Sequence, residues 1–375
     1  MRHRCVVALG TAILTLALGA GPARAGDPAA LYNQITDPLQ RLYFRTAIAN
    51  PDGTDVVYYW KGNTYLYIPG DIYRPLYPGA PGNAYTHGGG SGGTPLTGFE
   101  GYSIRRVLAD PQNPGDFLLA TREIVFYTDA GGNRIQSWTN PITGATTPVT
   151  PVLNEQLYSR YRVEDGVLKA VGHFYMFGAW IEYSAPVGQH PEVWGDDYMW
   201  PVEVYPTYKL DDPNRYGISD PMGLKSSRYT SSENFTFLVD KGQLKKVQTG
   251  DDAQSGWVPK ARLTWARTGP ALPWMCMDEA VYPLQVKYSV RSHLLKSWND
   301  LPTSFKAMMQ GYTFPPGALG ESSWHTAPQT VPASPDPAYP KLLPAWDTSW
   351  SVFHARVLVP AGKTWQAWCQ SHGAP

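Results

Sequence analysis

The sequence predicts a mainly β protein of antiparallel strands with a few short peripheral helices. Three observations carry that prediction. First, the chain holds 14 Trp, 24 Tyr, 35 Pro and 36 Gly but only 17% charged residues. Such a composition is poor in long-helix formers and suits short strands joined by turns. Second, residues 121–144 read TREIVFYTDAGGNRIQSWTNPITG. Their β-branched and aromatic start is followed by Asp129-Ala-Gly-Gly-Asn133, residues that tolerate a tight turn. Residues 135–138 read as the return strand and Asn140-Pro-Ile-Thr-Gly144 as a second turn. Third, no internal repeat or clean linker divides the chain, so residues 26–375 read as one domain. A tandem pair of smaller β units is the alternative.

The N-terminus reads as a secretory signal. Arg2, His3 and Arg4 precede an apolar run over 5–21, and Ala23-Arg-Ala25 matches an A-x-A cleavage site. The run is short for a membrane span, and Pro22 ends it. The expected location is periplasmic or secreted, with cleavage near Ala25 and no membrane insertion afterwards. Loss of three arginines leaves a mature net charge of −3. Without a basic block there is no electrostatic case for nucleic acid. Cys276 and Cys369 remain after cleavage. They are one disulfide in an oxidising compartment or two buried thiols, and their spacing does not choose between these.

Along the chain, Leu31, Ile35, Leu39 and Leu42 have helical spacing and predict a short N-terminal helix lying on the domain. Residues 56–68 read as a hairpin around Lys61-Gly-Asn63. Residues 69–95, rich in Gly, Pro and Tyr, read as a long loop. They lack the lysine and strand-to-helix context of a phosphate loop. Strands are expected at 99–108, 117–127, 228–239, 261–266 and 349–359, and two aromatic-rich strands follow the Asp165-Gly166 turn within 163–183. Residues 187–208 read as an irregular aromatic loop, 297–310 as a helix with Pro302 in its first turn, and 312–344 as loop.

Several stretches together resemble the DUF1838 family. They are Arg122-Glu-Ile-Val-Phe-Tyr127, Trp138-Thr-Asn-Pro-Ile-Thr-Gly144, Glu100-Gly-Tyr-Ser-Ile-Arg-Arg106, Tyr229-Thr-Ser-Ser-Glu233, Pro273-Trp-Met-Cys-Met277 and Asp347-Thr-Ser-Trp350. Their order and number carry the resemblance, which spans about 56–353. Asp278 departs from it, standing where a glycine follows the Trp-Met-x-Met run. The resemblance implies a lipocalin- or calycin-like fold, an antiparallel barrel-like domain. Such barrels hold one small, often apolar molecule.

Candidate site residues follow from strand alternation. Arg122 and Glu123 are neighbours on one strand, so they point to opposite faces. One reading is a structural ion pair of Glu123 with Arg105 or Arg106. The other places one of the two inside the cup as acid, base or anion stabiliser. His173 and Tyr175 share a strand face and add a candidate base beside an aromatic wall. Arg105, Trp138, Asn140, Glu182, Trp274 and Trp350 are candidate ligand-binding residues. Asn140 also reads as a turn cap, and the tryptophans as core. The eight histidines show no metal spacing, and no serine stands in a nucleophile elbow. The expected function is binding of a small apolar or aromatic molecule, with lyase, isomerase or hydratase chemistry needing no cofactor. The alternatives are a carrier without turnover and a carbohydrate-binding protein with aromatic platforms.

Overall fold

The computed structural model describes residues 27–67, 94–141, 143–173, 181–204, 207–209, 228–230, 232–253, 256–277, 284–331 and 353–374. The expected signal, residues 69–93 of the glycine-rich loop, Tyr175, Asp278 and Trp350 lie outside them. The strands are β1 (Val56–Tyr67), β2 (Thr94–Ala109), β3 (Asp116–Thr128), β4 (Ser137–Thr139), β5 (Thr146–Pro148), β6 (Val152–Glu164), β7 (Val167–His173), β8 (Ile181–Pro186), β9 (Glu192–Trp194), β10 (Asp197–Val204), β11 (Thr207–Lys209), β12 (Arg228–Thr230), β13 (Ser232–Asp240), β14 (Ala261–Pro270) and β15 (Leu284–Leu295). Eleven form one antiparallel sheet in the order β8-β7-β6-β3-β2-β1-β15-β14-β13-β10-β9. The fold is therefore mainly β with few short helices. Among the described residues no ladder joins the edge strands β8 and β9.

Those two edges are nevertheless consecutive in the chain. A flat sheet of this order would hold them about 48 Å apart. Residues 187–191, which link them, span at most about 21 Å, so the sheet curves strongly. The N-terminal helices α1 (Pro28–Asn33) and α2 (Pro38–Tyr43), with a π-helical turn Phe44–Ile48, fill one end of the concave side. Phe44 packs on Phe117 of β3, while Tyr43 packs on Trp200 of β10 and Phe237 of β13. Gln40 donates to the Leu168 and Val187 carbonyls at the β7 edge and its linker. The expected single helix is thus split at Thr36-Asp37-Pro38. It lies inside the curve rather than on the surface, because it carries apolar side chains for both halves of the sheet.

The convex side of β1, β2, β3 and β6 is covered too. Val57, Tyr102, Ile104, Ile124, Phe126 and Leu153 pack against Leu301, Phe305, Met309, Trp324 and Ala327. The helix there is Thr303–Gln310, with Pro302 as its cap residue, preceded by a separate turn Trp298–Asp300.

Other expectations change. Residues 56–67 form one strand with no turn at Lys61-Gly-Asn63; the register against β15 shifts at Lys61/Gly62, with the extra residue on β15. The return along β3 is confined to Arg134 and Ile135, with Ile135 N donating to Tyr127 O at 3.0 Å; the chain then leaves β3, and β4 pairs with β5. Residues 187–208 contain the β9–β10 hairpin, turning at Gly195, whose φ is 56°. The C-terminal stretch 354–361 is helical, not a strand. Cys276 and Cys369 form a disulfide across 93 residues. No helix among the described residues is long and apolar enough to cross a membrane.

Candidate functional site

Alternation along β3 puts Phe117, Leu119, Glu123, Val125 and Tyr127 on the concave side and Leu118, Ala120, Arg122, Ile124 and Phe126 on the convex side. Glu123 therefore points inward. Its neighbour on β6 is Asn154, whose Nδ2 donates to Glu123 Oε2 at 3.0 Å. Arg105, inward on β2, is buried and lies over the Tyr58 ring at 4.8 Å. It donates to Ala47 O at 2.8 Å and Ser103 Oγ at 3.2 Å. Burial pushes the Glu123 carboxyl above its ordinary range. The Asn154 hydrogen bond and the Arg105 charge oppose that, and the Glu233 charge adds to it.

Glu233 approaches from β13. It is paired with Arg267 on β14 at 3.3 Å and accepts from Trp265 Nε1 at 3.3 Å. Glu233 and Arg267 are cross-strand partners, as Glu123 and Asn154 are. Two polar pairs thus face each other across the concave side. Glu123, Val125, Glu233, Phe235, Trp265 and Arg267 are only partly buried although none lies on an edge strand. They are less closely packed than Phe117, Tyr58 and Val239 beneath the N-terminal helices, which are fully buried.

This arrangement offers one buried carboxyl disposed to keep its proton and one carboxylate held by an arginine. A carboxyl whose pKa is raised by burial suits proton transfer. Among the described residues no group of three His, Cys, Asp or Glu side chains is placed to hold a metal.

The other predicted residues fall elsewhere. Arg122 faces the convex cover and donates to the carbonyls of Glu155, Ser323 and Thr326. Arg105 is near Glu123 but donates to Ala47 O and Ser103 Oγ, while Arg106 pairs with Asp55 at 2.8 Å. His173 lies on β7 opposite Ser159, and Glu182 on β8 opposite Gly172; their side chains are outside the described set. Trp138, Asn140 and Trp274 join two motifs that lie far apart in the chain. Trp274 packs edgewise on Tyr127 and Trp138, and Asn140 Nδ2 donates to Met275 O at 3.0 Å and Cys276 O at 3.3 Å. Asn140 also caps its own turn, accepting from Thr143 N.

Asn154, Glu233, Trp265 and Arg267 were missing from the candidate residues. A signal for two of them exists in the alternation. Glu233 continues the face of Phe235, Phe237 and Val239, and Arg267 that of Ala261, Leu263 and Trp265. A charge that extends an apolar face points inward. A separate open cleft of about 260 Å³ lies by Arg134, Phe126 and Tyr312. Arg134 is committed there to Gly311 O and to the two rings.

No curated protein and no solved structure matches the chain. Residues 53–327 match the family DUF1838, described as a protein of unknown function. The match takes in Arg105, Glu123, Asn154, Glu233 and Arg267, and it leaves out the N-terminal helices and Cys369. Covering most of the chain, it shows that this protein belongs to the DUF1838 family.

Proposed function

We propose that the concave side is a barrel-like cup that binds a small molecule with an apolar or aromatic body and carries out acid–base chemistry on it. The reaction class is lyase, isomerase or hydratase. The observation that carries this reading is Glu123, inward and partly buried, hydrogen-bonded by Asn154 with the Arg105 and Glu233 charges acting on it. A carboxyl whose pKa is raised above the ordinary glutamate range holds its proton more firmly and is a stronger base once ionised. Arg105 and Arg267 supply positive charge for an anion that develops beside it. Val125, Phe235 and Trp265 form the apolar wall.

Metabolites retained by the purified mature protein, identified by mass spectrometry, test the binding. The Glu123→Gln variant then tests the chemistry: it retains the compound and forms no product. Product formation at the wild-type rate overturns the acid–base role. The carrier reading draws support from the pairing of Glu233 with Arg267, and recovery of an unchanged ligand from wild type selects it. We also propose export after Ala25. The basic start, apolar run and A-x-A site support it, as does the Cys276–Cys369 disulfide, a bond that persists in oxidising compartments. An N-terminus at Gly26 in the exported fraction is the expected result.

A further inference from the structure

The cleft of about 260 Å³ beside Arg134 opens where three segments meet: the residues that follow the Asp129–Asn133 turn, those between β5 and β6, and those that follow the helix Thr303–Gln310. Phe126, Ile135, Val149, Pro151 and Tyr312 give it an apolar wall, and Arg134 is the charged residue of its lining. The Arg134 guanidinium is held in place by rings and carbonyls. Its carbon lies 5.6 Å from the centre of the Phe126 ring and 5.1 Å from that of Tyr312. It donates to Gly311 O at 2.7 Å and to Met308 O at 3.5 Å.

Those two bonds are the ones a cation makes at a helix C-terminus, and they tie the turn to the helix end. A guanidinium carries more N–H donors than they use. Among the described residues no carboxylate pairs with Arg134. Asp129, the acid of the preceding turn, accepts instead from Asn133 N at 2.8 Å and Asn133 Nδ2 at 3.1 Å. Glu100, the cross-strand partner of Phe126, holds Lys61 at 3.0 Å. Arg134 is thus a half-buried cation without a counter-charge, fixed in the lining of an apolar cleft. Helix capping accounts for its two bonds but not for the uncompensated charge beside open apolar space. A planar guanidinium so placed matches a carboxylate.

We propose that this cleft is a binding site for a small carboxylic acid carried on one aromatic ring. The carboxylate meets the spare N–H groups of Arg134, and the ring takes the apolar wall. The volume is below the range that takes drug-sized ligands, so it limits the occupant to one ring on a short acid arm. The site is independent of the cup reading, because its lining includes none of Arg105, Glu123, Glu233 and Arg267.

Saturation-transfer NMR titrations of the full chain with phenylacetate, phenylacetamide and acetate test it. Wild type is expected to bind phenylacetate about tenfold more tightly than the amide, which lacks the charge, or acetate, which lacks the ring. Arg134→Gln keeps an amide donor for the Gly311 carbonyl. It is expected to bring phenylacetate to the level of phenylacetamide and to leave phenylacetamide unchanged. Thr313→Trp, at an exposed position of the lining, narrows the cleft and is expected to weaken phenylacetate about tenfold. Wild type that does not bind phenylacetate, or binds acid and amide alike, leaves Arg134 a helix cap alone and overturns the site. Equal loss of both ring compounds in Arg134→Gln overturns it as well. Unaltered affinity in Thr313→Trp places the acid elsewhere, the cup included, and also overturns it.

Discussion

Glu123 on β3 and Glu233 on β13 act on one another across the concave side, although five strand steps separate their strands. In a flat sheet those steps would put them about 24 Å apart. Curvature brings the two acids to one space, and with them Arg105 and Arg267.

The burial of Glu123 has a pH signature. The folded protein keeps the proton where the unfolded chain has already released it. Stability is therefore full below the ordinary glutamate value of 4.5 and falls as pH rises from there through the raised value. Glu123→Gln removes this loss. Thermal melts from about pH 4 to about pH 8 are expected to show the variant gaining on wild type as pH rises. Parallel curves would mean that Glu123 is ionised at no cost in the fold.

Arg122 is a girder of the convex side. Replacing it with Ala strands the carbonyls of Ser323 and Thr326 and loosens the cover over β3. The expected loss is about 3 kcal/mol in urea unfolding, with faster proteolysis within residues 311–331. Ligand retention by the folded fraction should not change, and an effect on affinity alone would put Arg122 in the site.

Asn140 ties the Trp-Thr-Asn-Pro turn to the carbonyls of Met275 and Cys276. Asn140→Ala is expected to cost about 2 kcal/mol. Asn140→Asp removes the same amide donors and should cost at least as much. A neutral effect of both substitutions in thermal unfolding would show that the joint is held by Trp274 packing alone.

The disulfide links Cys276 to the C-terminal helix Trp365–Gln370. Closing a loop of this length stabilises by about 4–5 kcal/mol in the chain-entropy account. Cys369→Ser, or wild type under reductant, is expected to unfold at markedly lower urea. Trp365, which donates to Pro273 O at 2.8 Å, should lose its fluorescence shift in the same transition. An unchanged midpoint would show that burial of Trp365 and Trp368 suffices to hold the terminus.

Some of the site was legible and some was not, for reasons specific to its strands. Alternation alone placed Arg122 and Glu123 on opposite faces. It did not say which was inside, because Phe117, Leu118, Leu119 and Ala120 are all buried and both faces of β3 are covered. A strand buried on both sides carries no polarity signal for orientation. Lys61-Gly-Asn63 has the composition of a turn but lies within β1 opposite a bulge of β15, and the aromatic composition of 187–208 hides the β9–β10 hairpin. Trp138, Asn140 and Trp274 stood out as motif residues, and their shared role is to join two motifs that the chain holds far apart.

By itself, the sequence determined the β class, the turns at Asp129–Asn133 and Asp165-Gly166, and the opposite facing of Arg122 and Glu123. All of these follow from dihedral preferences and side-chain alternation within a few residues. Tertiary structure alone decided that Glu123 faces inward and that Glu233 meets it. It also decided that the N-terminal helices fill the curve. Tyr32, for example, hydrogen-bonds Asp252, 220 residues away. Such facing depends on which distant surface covers each side of a strand, and no local pattern carries that information.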